Sequence, residues 1–383
     1  MVVKWQRSRG GDMDALSEVL KVLQFSSAIF FNARFTAPWC FASPEADAVA
    51  RQVNAGSERL LFYHLFVDGS CTVKLDGLPP LRLQAGDIIL FPHGDAHTMA
   101  SSEIRGPMPK LDLRGLLRER PDELRLGGGG APTRFICGYL SCDPVLCRPI
   151  LATLPRVLTV SLRGDEKTDW VERSFVYAVA EAAATQPGGE GVLAKLSEVL
   201  VVETLRRYIS QISEGQTGWF AGLRDRVVGR CLALMHEKPA TQWTLESLAR
   251  DVGTSRSVLA ERFTHYVGQP PIQYLGKWRM ALASNLLRRS ALSMMHIALE
   301  VGYETDAAFS RAFKREFGMP PASWRREHSL KSPTKLNDAG RSRQSARRST
   351  GTGRGTTRSA PTRLDPSGRS RRGPATGGSA QRE

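Results

Sequence analysis

The chain repeats itself near its C-terminal end. Leu245, Leu248, Ala249 and Val252 stand at i, i+3, i+4 and i+7, and Gly253 follows. Met294, Ile297, Ala298 and Val301 take the same spacing, and Gly302 follows. That spacing puts the apolar side chains on one face of a helix. A second helix is predicted after each glycine, with Leu259, Phe263 and Val267 on its buried stripe in the first copy. In the second copy the stripe is Phe309, Phe313 and Phe317. Two helices joined by a glycine-bearing turn, each with one apolar face, make a helix-turn-helix layout.

The opposite face of each second helix should meet solvent. It carries Ser257, Glu261, Thr264 and His265 in the first copy, and Ala307, Arg311, Lys314 and Arg315 in the second. An ordinary bundle would also expose such faces. The sharper reading is a pair of recognition helices, joined by the stiff connector "PIQYLGKWRMALASNLLRR" (Pro271–Arg289). Two such helices on one rigid unit would reach successive major grooves, about 34 Å apart.

Charge agrees with that reading. Residues 1–218 carry 24 Lys/Arg and 25 Asp/Glu, residues 219–328 carry 16 and 10, and residues 329–383 carry 13 and 3. The basic character sits wholly in the C-terminal part, which points to a polyanion, nucleic acid first. After about Ser329 the composition is Arg/Ser/Gly/Thr/Pro, unable to bury a core, so a disordered basic tail is expected over 329–383.

The front half has another rhythm. From about Ser26 to Tyr139, short β-rich runs such as "RLLFYHLFV", "CTVKLDG", "LRLQAGDIILF" and "RFICGYL" alternate with turn residues. They predict an antiparallel sandwich or barrel, with "LRLGGGGAP" (Leu124–Pro132) as a flexible excursion. Helices are predicted over Met13–Gln24, Trp170–Ala184 and Val192–Ser213, and a linker over Ser213–Trp219. The leucine stripe of Val192–Ser213 suits packing on its own domain, or a dimer seam. No run of about twenty apolar residues exists, so no membrane span is expected. The first residues lack a hydrophobic signal core, and residues 1–12 read as a flexible leader. Six cysteines without such a signal predict reduced thiols in a cytoplasm rather than a disulfide framework.

The stretches "WTLESLARDVGTSRSVLAERFTHYVGQPPIQYLGKWRM" and "IALEVGYETDAAFSRAFKREFGMPPASWR" resemble the DNA-binding domain of the AraC/XylS family of bacterial transcription regulators over about residues 220–326. The resemblance implies two helix-turn-helix units that read double-stranded DNA from their second helices. By position it assigns Arg256, Ser257, Ala260 and Glu261 to the first reading surface. Asp306, Ala307, Ser310, Arg311 and Lys314 fall at the second. Glu261 departs from the pattern, since many relatives carry arginine there. A carboxylate cannot bind phosphate, but it can accept from a cytosine amine.

"GDIILFPHGDAH" (Gly86–His97) fits the second motif of the cupins, small antiparallel barrels that often head such regulators as sensory domains. An enzymatic cupin supplies two further histidines and a glutamate, and the matching strand here offers His64 alone. His64, His93 and His97, with Cys71, could still gather around a divalent metal, although histidines satisfied by backbone partners suit a strand end equally. Cys137, Cys142 and Cys147 stand five apart, which fits no CxxC pattern; they are core cysteines or a redox sensor.

The expected fold class is therefore multidomain α+β. A cupin-like barrel fills 13–165, a helical linker and dimerisation region 166–213, and an all-α double helix-turn-helix domain 214–328. The expected function is a cytoplasmic, nucleoid-associated transcription regulator, an activator by resemblance. Its partners would be double-stranded DNA, RNA polymerase, a small-molecule or redox effector and a second copy of the chain. The alternative is a cupin-type metal-dependent enzyme with a nucleic-acid-binding appendage; a third reading is a structural nucleic-acid binder driven by the tail's cations.

Overall fold

The computed structural model describes residues 14–23, 26–53, 59–101, 123–163, 170–171, 173–174, 177 and 187–328, all within one compact unit. The leader, most of the helix expected over Trp170–Ala184, and the basic tail lie outside the described residues.

A six-stranded sheet runs in the order β10-β6-β3-β9-β1-β8 and a four-stranded sheet in the order β2-β7-β4-β5. The strands of the first are β1 (Ser26–Thr36), β3 (Arg59–Asp68), β6 (Asp87–Phe91), β8 (Leu124–Gly127), β9 (Pro132–Cys142) and β10 (Leu158–Ser161). Those of the second are β2 (Cys40–Ser43), β4 (Ser70–Lys74), β5 (Leu81–Gln84) and β7 (His97–Ala100). Among the described residues the sheets share no ladder, so the domain is an open two-sheet sandwich with cupin-like sheets rather than a closed barrel.

The glycine-rich excursion differs from expectation. Leu124–Gly127 is a strand, and it pairs with β1 in parallel, the one such pair among the described ladders. Leu124 and Leu126 pack against the core between the sheets, which draws the segment onto the open edge of β1. The glycines that follow stay close to the same strand: Gly128 N–H donates to Thr36 O at 3.0 Å and Gly130 N–H to Ala37 O at 2.8 Å.

Side chains alternate across a strand, and the six-stranded sheet is buried on both faces. From β3, β6 and β9, residues Leu60, Phe62, Phe66, Ile89, Phe91, Phe135 and Cys137 enter the core between the sheets. Leu61, Tyr63, Leu65, Ile88, Leu90, Ile136 and Leu140 enter a second core on the opposite face. α4 (Gly189–Gln211) lies on that face, against β1, β9 and β10. α1 (Ala15–Leu23) and α3 (Pro144–Leu151) add Leu16, Val19, Leu146 and Ile150 to the same core, while α2 (Ala46–Val53) packs by β3 from the other side. In α4, Leu193, Leu200, Val201 and Leu205 are buried in the chain's own core, which is how its leucine stripe is used. Ser197 of α4 meets Tyr63 of β3, with 2.6 Å between the hydroxyls.

The second core continues into the helices beyond residue 218. These are α5 (Trp219–Arg224), α6 (Arg226–Glu237), α7 (Leu245–Val252), α8 (Arg256–Val267), α9 (Pro271–Arg289), α10 (Met294–Glu300), α11 (Asp306–Phe317) and α12 (Pro321–His328). No helix among the described residues is long and apolar enough to cross a membrane. Within the first helical unit, His236 lies buried under Trp278 and Tyr274. Trp219 Nε1–H donates to the Tyr274 hydroxyl at 2.9 Å, and that hydroxyl lies 2.8 Å from His236 Nε2. Burial holds the imidazole neutral, with its pKa down at about 3.

That histidine sets an acid limit. The unfolded chain takes up a proton near the ordinary histidine pKa of about 6.5, while the folded chain resists it until about 3. Stability is therefore expected to fall as pH falls from about 7 to 4, by up to about 1.4 kcal/mol per pH unit for each such group. Urea denaturation across that range should show the decline, with a shallower slope in His236→Gln.

Candidate nucleic-acid interface

The two helix-turn-helix units are built by the same local rules. Thr244 caps α7 through a reciprocal box with Ser247, while Ser255, Ser293 and Thr305 cap α8, α10 and α11 by accepting from the amide three residues on. Gly253 and Gly302 hold φ of 76° and 80°, the left-handed conformation that lets the chain reverse into the second helix. At Gly302 a side chain would also strike the Ala240 carbonyl.

Each second helix buries its expected stripe. Leu259, Phe263, Phe309 and Phe313 are fully buried, with Val267 and Phe317 partly so. On α8, Arg256, Ser257, Glu261, Thr264 and His265 are exposed and Ala260 is half-buried. On α11, Asp306, Ala307, Arg311, Lys314 and Arg315 are exposed and Ser310 is half-buried, with its hydroxyl 3.3 Å from Asp306 Oδ1. Val258 was not singled out by sequence reasoning; it is 41% exposed on the first turn of α8. An apolar residue one step before a buried leucine reads as core by periodicity, and only the observed phase of the helix turns it outward.

The two faces differ electrostatically. Arg262 of α8 is committed to Asp225, the N-cap of α6, with its Nε 3.1 Å from Asp225 Oδ2. Burial pushes the Asp225 carboxyl up, but Arg262 and the amides of Val227 and Val228 outweigh that and hold it below its usual range. The cationic face thus belongs mainly to α11.

The two units are tied to one another. Arg279 of α9 donates from Nε to Pro239 O and from Nη2 to Thr241 O, both at 2.7 Å, and its guanidinium lies 5.9 Å from the Tyr303 ring centre. Gln242 Nε2 donates to Gly302 O at 2.8 Å, joining the start of the first unit to the turn of the second.

In the sandwich the structure brings His64 and His97 together, with 2.7 Å between their Nε2 atoms. Cys137 Sγ lies 2.6 Å from His64 Nδ1, and His97 Nδ1 lies 2.9 Å from the Asp95 carbonyl. Burial lowers both imidazoles, His97 to about 4, so both are neutral. A carbonyl only accepts, so His97 carries its proton on Nδ1 and accepts at Nε2. His64 must then donate from Nε2 and accept at Nδ1, which leaves the Cys137 thiol as donor. Burial and nearby Cys71 keep that thiol protonated. Every ring nitrogen in the row is used by a neighbour.

The expected three-histidine metal set is not assembled. His93 turns to Arg59 Nη2 at 2.8 Å and Leu154 O at 3.0 Å, because its turn faces the sandwich rim rather than the inter-sheet core. Among the described residues no group of three or more His, Cys, Asp or Glu side chains is disposed to hold a metal ion. The cysteine trio also divides. Cys137 enters the core between the sheets, while Cys142 and Cys147 lie in the other core and are bridged, with Cα atoms 6.6 Å apart. The expectation of six reduced thiols is corrected at that pair: the turn from β9 into α3 folds two cysteines five residues apart onto one another.

A two-sheet sandwich followed by two rigidly joined helix-turn-helix units defines a DNA-binding regulator with a cupin-like front domain. A family profile described as Cupin matches residues 14–210, and one described as Helix-turn-helix domain matches 248–327. The chain is 30% identical over 318 residues to a putative AraC-like transcription regulator of Streptomyces antibioticus, covering 82% of this chain and 99% of that one. A protein of the same description from Streptomyces lividans is 29% identical over 322 residues, 83% of this chain and 100% of the relative. The transcriptional regulator AlkR of Acinetobacter baylyi is 27% identical over 318 residues, 82% of this chain and 100% of the relative. The chain belongs to the AraC family of DNA-binding transcriptional regulators.

Alkylation of the denatured, unreduced protein should label Cys40, Cys71, Cys137 and Cys231 and spare Cys142 and Cys147 until a thiol reductant is added. Peptide mass spectrometry reads this directly; labelling at all six positions would mean that the bridge is absent.

Proposed function

We propose that the protein controls transcription by setting α8 and α11 into successive major grooves of a DNA site, in response to a signal received by the sandwich domain. The observation that carries this reading is the pair of solvent-facing helix faces held on one connector by Arg279 and Gln242. Arg311 and Lys314 supply the contacts to guanine and phosphate, and Asp306, Ala307 and Ser310 complete the second surface. Arg256, Ser257, Ala260 and Glu261 form the first surface, with Glu261 setting base choice by accepting from cytosine and Val258 offering an apolar contact to a thymine methyl. In this reading the protein is a homodimeric activator that works with RNA polymerase. The metal-enzyme alternative gains no support from the relatives, which are named as transcription regulators.

The test is in vitro selection of duplexes by the full chain, followed by binding at several salt concentrations. Arg311→Ala should weaken the selected site by about 1–3 kcal/mol and relax preference at one position. Lys314→Ala should weaken all duplexes alike and reduce the salt slope by about one. Glu261→Ala should relax base choice without a uniform loss; an equal change on every sequence would remove its assigned role.

A further inference from the structure

Asp143 stands between β9 and α3 and is buried. Its two oxygens serve different parts of the chain. Oδ1 caps α3, accepting from the amides of Val145 at 2.8 Å and Leu146 at 3.1 Å. Oδ2 accepts from Arg288 Nη2 and, at 3.3 Å, from Asn285 Nδ2. Asn285 and Arg288 lie three residues apart on α9, the connector between the two helix-turn-helix units. The guanidinium is as buried as the carboxylate, with side-chain exposures of 7% and 4%.

A fully buried ion pair across two domains makes a two-state element. A half-made arrangement would strand one charge in an apolar setting. Parting the two surfaces returns both charges to water. On a face whose two sides also share apolar packing, the pair is therefore either made or released as a unit, which gives that contact two discrete states.

The place of the pair gives its direction. The helix-turn-helix units are already held together by Arg279 and Gln242. Asp143 is not needed to space the recognition helices. What it adds is a tie from the sandwich domain to the last turn of the connector, five residues before the cap of α10 at Ser293. The geometry points to an intramolecular latch: Asp143 and Arg288 hold the DNA-binding unit against the sensory domain, and release of that pair raises DNA affinity. The latch rests on the reading above that both recognition helices must engage DNA, and it adds how the sensory domain restrains them. Any signal that shifts α3 moves the carboxylate, because the same side chain caps that helix.

The test uses Asp143→Asn, Arg288→Met and the double variant in the full chain. Asparagine keeps an oxygen for the cap and removes the charge; methionine keeps the aliphatic length. Two readouts are taken: amide hydrogen exchange in α3 and α9, and affinity for a duplex selected in vitro by the wild-type chain. Each single variant should speed exchange in both helices and bind the duplex at least threefold more tightly, and the double variant should match the singles. Unchanged exchange, strictly additive effects or weaker binding would overturn the latch. If Asp143→Asn does not melt cooperatively, Arg288→Met is compared with Arg288→Lys, which keeps the charge and should return affinity toward wild type; equal effects of the two would also overturn it. Should the wild-type chain select no duplex, the functional reading fails on its own, and the exchange measurements still decide whether Asp143 and Arg288 act as a pair.

Discussion

Everything in the front half depends on a sheet buried on both faces. β3 carries the consequence most plainly, because its alternate residues belong to different cores. Tyr63 points to the helical side and meets Ser197 of α4; His64, its neighbour, points between the sheets and meets His97 and Cys137. Period-two alternation thus fixes which polar groups can act in the sandwich interior and which can reach the helices. The helical face does not close on itself. Its core runs on through α4 into Trp219 and Phe220 and the first helix-turn-helix unit, so the cupin-like sheet and the DNA-binding helices share buried surface.

The second helix-turn-helix unit has its own core, centred on Phe309 and Phe313 against Leu287, Ile297 and Val301. The two units are alike in local grammar and unlike in surface. α8 spends one arginine on Asp225 and presents a carboxylate at Glu261, whereas α11 keeps Arg311, Lys314 and Arg315 on its exposed side. In the proposed reading, that asymmetry puts a carboxylate acceptor among the base contacts of the first unit and most of the cationic contacts, to guanine as well as phosphate, on the second.

The helical half was legible in the sequence because its determinants are local. An apolar stripe, a glycine and a capping serine or threonine lie within one turn of one another, and both copies of the pattern folded as expected. The sandwich was legible only in part. His97 lies beside His64 between the sheets, but His93, directly before the motif glycine Gly94, turns to Arg59 and Leu154; residue spacing does not say which way a turn presents its side chains. The parallel strand at Leu124–Gly127 was hidden by its glycines, which read as loop when considered alone. Asp143 with Arg288 was least visible of all. Their separation of 145 residues puts the pair beyond any local pattern, although an aspartate and a proline opening "DPVLC" do signal a capped helix.

Asp143 shares its design with Asp225. Each carboxylate caps a helix with Oδ1, accepting from the amides two and three residues ahead, and each holds an arginine from another element with Oδ2. A helix N-terminus stabilises a buried carboxylate through its free amides and its dipole, so the arginine is not the sole source of compensation. The difference lies in the arginine. Arg262 is 49% exposed and keeps access to water, so parting from Asp225 is mild for the guanidinium. Arg288 is enclosed, and its Nε has no partner among the described residues, so it depends on Asp143 while the domains stay packed. The first pair therefore fastens two helices within the DNA-binding half, whereas the second makes one acidic side chain answerable to both domains.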